Sequence, residues 1–329
     1  MSTLDPNEVR FFSGSSNRRL AADIAAHLGV RLDETRVERF SNDNLYLQLG
    51  ASVRSRTVFI VQSLSPPVND HLVELLMMLD IARSAAAREI HAIIPYFSFA
   101  RSDKKDAPRI SITARLVADL LQTAGATHVM TMMLHSPQVH GFFGVPADPL
   151  TARPVFDQFF RQRDLSSTIV VTPDVGHMKS AARFAEGLGL PVAAGNKERV
   201  SDTTVVISGL VGHQVAGHRR ALIYDDEIAT GSSVVELSRR LVDHGVEQIT
   251  AVCTHGVFVG RAFDNLASQP RITEIVTTDT VYIPPEKRPP HLRVLPVAWI
   301  FGEAIRCNYE RKSIGDLFVF GEPEREDQT

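Results

Sequence analysis

Short runs of aliphatic and β-branched residues alternate with amphipathic segments from one end of the chain to the other. Strand-like runs fall at 57–62, 90–95, 128–132, 167–172, 220–224, 248–254 and 274–278. Between them, apolar residues recur with helical period at 19–28, 70–85, 112–124, 178–188 and 232–244. A strand covered on both faces by helices reads as a continuous apolar run. Such runs alternating with helices build βα units around a parallel sheet. The fold class is therefore α/β.

At 329 residues, and at roughly 150 residues per domain, the length predicts two domains. The 35 Lys and Arg against 38 Asp and Glu leave a net charge of −3. A general nucleic-acid binder needs a cationic surplus to displace counterions, so nucleic acid is not the expected partner. A local basic site for a small anion stays open. No apolar run approaches the roughly 20 residues of a membrane helix; the longest, 72–81, is broken by Glu74 and Asp80. The first ten residues are polar and include Asp5 and Glu8, unlike a secretory leader. Cys253 and Cys307 are the only cysteines. They supply neither a disulfide framework nor a zinc cluster, and a cytoplasmic location is expected. The acidic tail 322–329 is expected to be disordered.

The chain carries an internal repeat. A strand over 58–63, a helix over 72–85 and a strand over 89–95 match a strand over 221–226, a helix over 233–243 and a strand over 247–254. Both helices hold a Val-Glu-Leu triplet, Val73 to Leu75 and Val235 to Leu237. Similar units far apart in sequence suggest two related domains, joined near 148–154.

The segment richest in chemistry is Ala221-Leu-Ile-Tyr-Asp-Asp-Glu-Ile-Ala-Thr-Gly-Ser-Ser-Val234. An apolar strand ends in two carboxylates, and a hydroxyl-rich loop then opens a helix. Ligands of open α/β sheets bind at the carboxyl ends of strands. The hydroxyls of Thr230, Ser232 and Ser233, with the backbone N–H groups of a helix start, form a phosphate cradle. Gly231 lets the backbone come close. Asp225 and Asp226 repel a phosphate but suit sugar hydroxyls or a metal. Together these features describe a site for a phosphorylated sugar.

This segment resembles the phosphoribosyl-binding motif of the type I phosphoribosyltransferase fold. Other segments occur in order with it: Phe12-Ser-Gly-Ser-Ser-Asn17, Phe40-Ser-Asn-Asp43, Ala100-Arg-Ser-Asp-Lys-Lys-Asp106, Leu134-His135 with Gly141-Phe-Phe143, Asn196-Lys-Glu-Arg199 and Thr254-His-Gly256. From about residue 11 to 318 the chain is similar to the ribose-phosphate pyrophosphokinase family. The resemblance implies two tandem type I phosphoribosyltransferase-like domains, each a mainly parallel sheet flanked by helices. Residues 1–150 would bind ATP and mediate oligomerisation. Residues 151–308 would bind ribose 5-phosphate and carry the catalytic loop, and 309–321 would pack back on the first domain. It also implies a homohexamer built from dimers, and transfer of the ATP diphosphoryl group to O1 of ribose 5-phosphate.

The polar stretch between strand-like 191–194 and 204–207 contains Ser201, Asp202 and two cations at i, i+2. An extended loop puts both cations on one side. By resemblance this is the catalytic flexible loop, in which Lys197 and Arg199 stabilise the transition state and Arg199 also meets the sugar phosphate. A basic loop closing over ATP supplies positive charge and excludes water. Arg101 and Ser102 would contact ATP. Phe40, Asn42, Asp43 and Asn44 would form an adenine loop lent by a neighbouring subunit, with Phe40 as the stacking face. Ala229 to Ser233 would hold the sugar phosphate, and Asp174, Gly176 and Lys179 the diphosphate. His135 would ligate the magnesium that travels with ATP, and Asp174 a second ion. His140, His177, His213, His218 and His255 lack metal-ligand spacing and are read as structural.

The chain departs from the family's common pattern in several places. Ser102 stands for a glutamine, Asn44 for a glutamate, and Met133, Gly144 and Ala229 for acids; Pro137 falls where a regulatory phosphate contact is usual. A non-catalytic regulatory subunit of the same fold is the main rival reading, but such relatives tend to lose the loop that Lys197 and Arg199 preserve. A transferase that consumes phosphoribosyl pyrophosphate would need one domain and no ATP loop.

Overall fold

The chain opens with β1 (Val9–Ser13) and α1 (Arg18–Leu28), followed by an antiparallel hairpin of β2 (Thr35–Arg39) and β3 (Leu45–Leu49). Next come β4 (Thr57–Val61), α2 (Val68–Ser84), β5 (Glu89–Ile94), α3 (Thr113–Ala124), β6 (His128–Met132) and β7 (Ala147–Leu150). The computed structural model describes residues 4–199 and 205–317. The main sheet here is parallel, in the order β1-β4-β5-β6-β7. Every residue of β4 and β6 is buried, as a strand covered on both faces requires. Asn17 starts α1 by accepting from the Leu20 N–H, and Gly29 ends it in the left-handed region at φ 68°.

A second unit begins at Ala152. It contains α4 (Arg153–Phe160), β8 (Thr168–Thr172), α5 (Met178–Leu188), β9 (Val192–Arg199) and β10 (Val205–Gly212). It continues through β11 (Arg220–Ile228), α6 (Ser232–Asp243), β12 (Gln248–Gly256), α7 (Ala262–Ala267), β13 (Ile272–Thr278) and β14 (Leu292–Leu295). Its sheet runs β10-β9-β8-β11-β12-β13-β14, parallel except for the β9–β10 pair. From β8 the chain steps outward to β9 and β10, then returns to β11 on the other side of β8. The strand order therefore reverses between β8 and β11. In the first unit's described sheet the order runs one way only.

The second unit ends at Pro296, not at the expected 308. The helix α8 (Ala298–Tyr309) belongs to the first unit. It packs on α1, where Gly302 leaves no room for a side chain against His27, and His27 Nε2 lies 2.8 Å from Glu303. Six residues of α8 are buried, so the apolar face of this helix belongs to the core rather than to a connecting tail.

The repeat maps onto two parallel βαβ units, β4-α2-β5 and β11-α6-β12. Leu75 and Leu237 are both fully buried. The glutamates beside them differ. Glu74 is 2% exposed and accepts from the Ser15 N–H at 2.8 Å and from Gln62 Nε2 at 2.9 Å. Glu236 lies toward solvent and pairs with Arg239 at 3.2 Å. Removing a buried acceptor strands its donors, at about 1–3 kcal/mol. Glu74→Ala should therefore lower stability by about that amount, and Glu236→Ala by less than about 0.5 kcal/mol. Urea denaturation of the two variants compares them directly.

His91, His128 and Asp148 form a polar line across β5, β6 and β7. The two Nδ1 atoms are 2.9 Å apart, so only one can carry a proton, and His128 Nε2 lies 2.8 Å from Asp148. Burial, and then the neighbouring His128, push the His91 pKa down to about 3. The unfolded chain takes up this proton near pH 6.5, its ordinary value, whereas the folded chain resists until about 3. Stability from this group is thus complete above that ordinary value and drains away as the pH falls through the interval. His91→Asn, which can still donate to His128, should flatten the fall in denaturation midpoint between neutral and mildly acidic buffer.

Candidate functional site

The strand order reverses between β8 and β11, and the carboxyl ends of strands at such a reversal are the ordinary ligand position of an open α/β sheet. Two sequence-predicted segments meet there. After β8, Asp174 caps a short turn, accepting from the Gly176 N–H at 2.7 Å, and its backbone carbonyl accepts from the His177 N–H at 3.0 Å. Lys179 follows, exposed at the start of α5.

Beside it, β11 runs through Asp225 and Asp226 to Ile228. The expectation that the strand stops at the two acids is corrected. The ladder to β12 pairs Asp225 with Cys253 and continues to Ile228 with Gly256. The acids are consequently buried inside the sheet, at 8% and 5% exposure. His177 balances them, with Nδ1 at 3.1 Å from Asp225 Oδ1 and 3.7 Å from Asp226 Oδ1. Burial works against a charged imidazole. The hydrogen bond to Asp225 and the charges of Asp226 and Asp225 outweigh it and push the His177 pKa up to about 9. Burial also pushes the Asp225 carboxyl up, and the His177 hydrogen bond opposes that shift.

The loop after β11 is anchored from beneath. The Ala229 carbonyl accepts from the Val259 N–H at 2.9 Å, and the Thr230 carbonyl from Asn265 Nδ2 at 2.9 Å. The hydroxyls of Thr230 and Ser232 lie 3.0 Å apart. Gly231 is the residue before α6, in the left-handed region at φ 79°, with no side chain capping the helix. Ser233 sits in the first turn of α6. The Ser232 N–H donates to Thr230 Oγ1 at 3.5 Å, and the amino end of α6 carries three hydroxyls.

The Lys197–Arg199 stretch is not the loop expected. It completes β9, antiparallel to β10, with Lys197 opposite Ile207 and Arg199 opposite Val205. Two strand-forming segments separated by a short connection zip into a ribbon, and the ladder extends through the polar residues. Ser201 and Asp202 lie outside the described residues.

The remaining predicted residues sit in the first unit. Phe40, Asn42, Asp43 and Asn44 form the exposed turn of the β2–β3 hairpin. Asp43 takes φ 70° and pairs with Arg39 at 2.7 Å, and Arg39 also holds Asp70 at 2.7 Å. Phe40 is 51% exposed at the tip. Arg101 and Ser102 follow β5, and His135 follows β6. Asp103 joins their loops, accepting from Ser136 Oγ at 2.5 Å and Gln138 Nε2 at 3.1 Å. Met133 is buried at φ 44°, and the space a side chain at Gly144 would occupy is filled by Gln122.

Sequence reasoning missed His177, because metal-ligand spacing was the only criterion applied to the histidines. The signal available was its place five residues past a predicted strand end, within the turn that begins at Asp174. Asp103 was missed because it lay within a charged run.

A strand-order reversal beside an acid-bearing strand and a hydroxyl-rich helix start is the arrangement expected of a phosphoribosyl-binding α/β protein. The model for the N-terminal domain of ribose phosphate pyrophosphokinase matches residues 9–125, and that for the phosphoribosyl synthetase-associated domain matches 206–319. A Streptomyces coelicolor protein is 51% identical over 311 residues, 94% of this chain and 98% of its own. The ribose-phosphate pyrophosphokinase of Deinococcus radiodurans is 46% identical over 313 residues, 94% of this chain and 97% of its own. The crystal structure of phosphoribosylpyrophosphate synthetase from Mycobacterium smegmatis superposes with a TM-score of 0.86 at 33% identity, covering 92% of this chain and 99% of that one. The chain belongs to the ribose-phosphate pyrophosphokinase family.

Gly231 is where this loop is most constrained. A Cβ there would lie 3.0 Å from Leu266 Cγ in a backbone conformation that L residues disfavour. Gly231→Ala should cost about 1–2 kcal/mol from the left-handed φ alone. Gly245→Ala, at φ 92° with open space around it, carries only the conformational cost. The difference between their denaturation midpoints measures the Leu266 contact.

Proposed function

We propose that the chain is a ribose-phosphate diphosphokinase, turning ATP and ribose 5-phosphate into 5-phosphoribosyl 1-pyrophosphate and AMP. The observation that carries this reading is the likeness over nearly the whole length, 46% across 94% of the chain to the Deinococcus enzyme. The O1 hydroxyl attacks the β-phosphorus, and the bond from that phosphorus to the α–β bridging oxygen breaks. AMP leaves with the oxygen, and the O1 proton is released.

The first unit takes ATP and the second the sugar. Thr230, Ser232, Ser233 and the amides around Gly231 and Ala229 hold the 5-phosphate. Asp225 and Asp226 accept hydrogen bonds from the ribose hydroxyls, which their acceptor-only oxygens suit. The Asp174–Gly176 turn and Lys179 receive the diphosphate. Lys197 and Arg199 stabilise charge on the moving group, with Arg199 also toward the sugar phosphate; diphosphoryl transfer needs positioning and positive charge more than covalent help. Arg101 and Ser102 hold the ATP phosphates. Phe40 stacks on adenine with Asn42, Asp43 and Asn44 around it, and its exposure at a hairpin tip supports a role in a neighbouring subunit of a homohexamer. No described helix is long and apolar enough to cross a membrane; the reading is of a cytoplasmic enzyme.

Two magnesium ions belong to this reading, one entering with ATP. Magnesium held by His135 or Asp174 would supply positive charge against the phosphates. Buried Met133 and the filled space at Gly144 offer no carboxylate near His135. His135 for the ion that enters with ATP, and Asp174 for the second, each offer a single donor and so fit an ion that brings phosphate oxygens with it.

AMP formation that depends on both ribose 5-phosphate and magnesium tests the activity, and its absence rejects it in favour of the regulatory-subunit reading. Lys197→Ala should lower kcat by at least about 100-fold with little change in ribose 5-phosphate affinity. Thr230→Val should weaken ribose 5-phosphate by about 1–3 kcal/mol and leave ATP affinity unaltered by calorimetry. His135→Ala should raise the magnesium concentration needed for half-maximal rate at fixed ATP; identical titration curves would remove His135 from the metal site.

A further inference from the structure

The second unit contains a side chain that touches both halves of the proposed site. His177 belongs to the turn after β8, yet its imidazole lies against Asp225 in β11. Its backbone is fixed from one side: the Asp174 carbonyl accepts its N–H at 3.0 Å, and the Asp174 carboxylate holds the neighbouring Gly176 N–H at 2.7 Å. Its side chain is fixed from the other, with Nδ1 at 3.1 Å from Asp225 Oδ1. The same oxygen accepts the Asp226 N–H at 3.0 Å. Oδ1 is therefore engaged twice within the protein, which fixes the plane of the carboxylate.

We infer that His177 is a positioning residue for the sugar: its Nδ1–H clamps Asp225 Oδ1 so that the other carboxylate oxygen faces the ribose hydroxyls, and it holds the diphosphate turn in register with that strand. The inference rests on the reading of Asp225 and Asp226 as the ribose-binding acids. Two features support it over a plain structural contact. The bond joins the turn after β8 to the interior of β11, at the strand-order reversal. It goes to a buried carboxylate, where a charge-assisted hydrogen bond is strong and directional.

The geometry makes the test specific. An Asn amide nitrogen occupies nearly the place of a His Nδ1, whereas a Gln amide reaches toward the Nε2 position. Calorimetric titration of ribose 5-phosphate, with separate KM values for both substrates, is made on wild type, His177→Ala, His177→Asn, His177→Gln and Asp225→Asn. Loss of one hydrogen bond to a charged group corresponds to about 10-fold in affinity. His177→Ala and His177→Gln should weaken ribose 5-phosphate by about that factor, and His177→Asn should recover to within about threefold of wild type. KM for ATP should stay within about twofold throughout. If Asp225→Asn weakens the sugar but His177→Ala and His177→Gln do not, the positioning role is wrong and the sugar site stands. If Asp225→Asn also binds normally, the sugar site itself is misassigned. Equal losses in His177→Asn and His177→Gln would overturn the Nδ1 clamp. Should His177→Ala fail to fold, the Asn and Gln pair still decides the question.

Discussion

Two carboxylates side by side in the interior of a parallel strand repel one another and lose their water, and a sheet accommodates them only with donors or a cation close by. Asp225 and Asp226 are placed this way, with the imidazole of His177 against them. The position of β8 beside β11 makes this possible. It brings the turn after one strand within reach of acids on the next. Had the strand order run one way, as in the described sheet of the first unit, a different strand would lie beside β11. The contact between His177 and the paired acids thus depends on a topological reversal.

The two units reuse one βαβ plan for different ends. Leu75 and Leu237 do the same work, each sealing its helix onto its sheet. The glutamate before each has diverged in role. Glu74 is a buried acceptor tying the Ser15 backbone to Gln62, whereas Glu236 is one half of a surface ion pair. Exposed pairs of that kind contribute little, so the second helix is free to vary there. The two βαβ units share the apolar positions that define the plan and differ in the polar ones.

The alternation of strands and helices was legible because continuous apolar runs leave little freedom: the strand over 128–132 and the helix over 178–188 lie where the sequence predicts them. What was not legible follows from long-range pairing. The extension of β11 through Asp225 and Asp226 depends on the ladder to β12, which no local propensity for two acids would suggest. The same holds for β9, where pairing with β10 carries the strand through Lys197 and Arg199. The return of α8 to the first unit depends on a fit between Gly302 and His27, residues far apart in sequence. The Thr230–Ser233 loop was readable because its chemistry is local: hydroxyls, a glycine and a helix start follow one another directly.

The departures near His135 have a structural logic of their own. Met133 adopts φ 44° and is buried, with its N–H donated to the Leu150 carbonyl at 2.9 Å. An apolar side chain suits that position because it needs no hydrogen-bonding partner there. At Gly144 the side-chain space is taken by the amide of Gln122. Neither position carries a charge, and Asp103 ties the loop after β5 to Ser136 after β6. In the second unit an imidazole built into the chain lies against Asp225. The two units thus differ in their polar chemistry: the first places an apolar side chain at Met133 and an amide against Gly144, whereas the second sets an imidazole beside its paired acids.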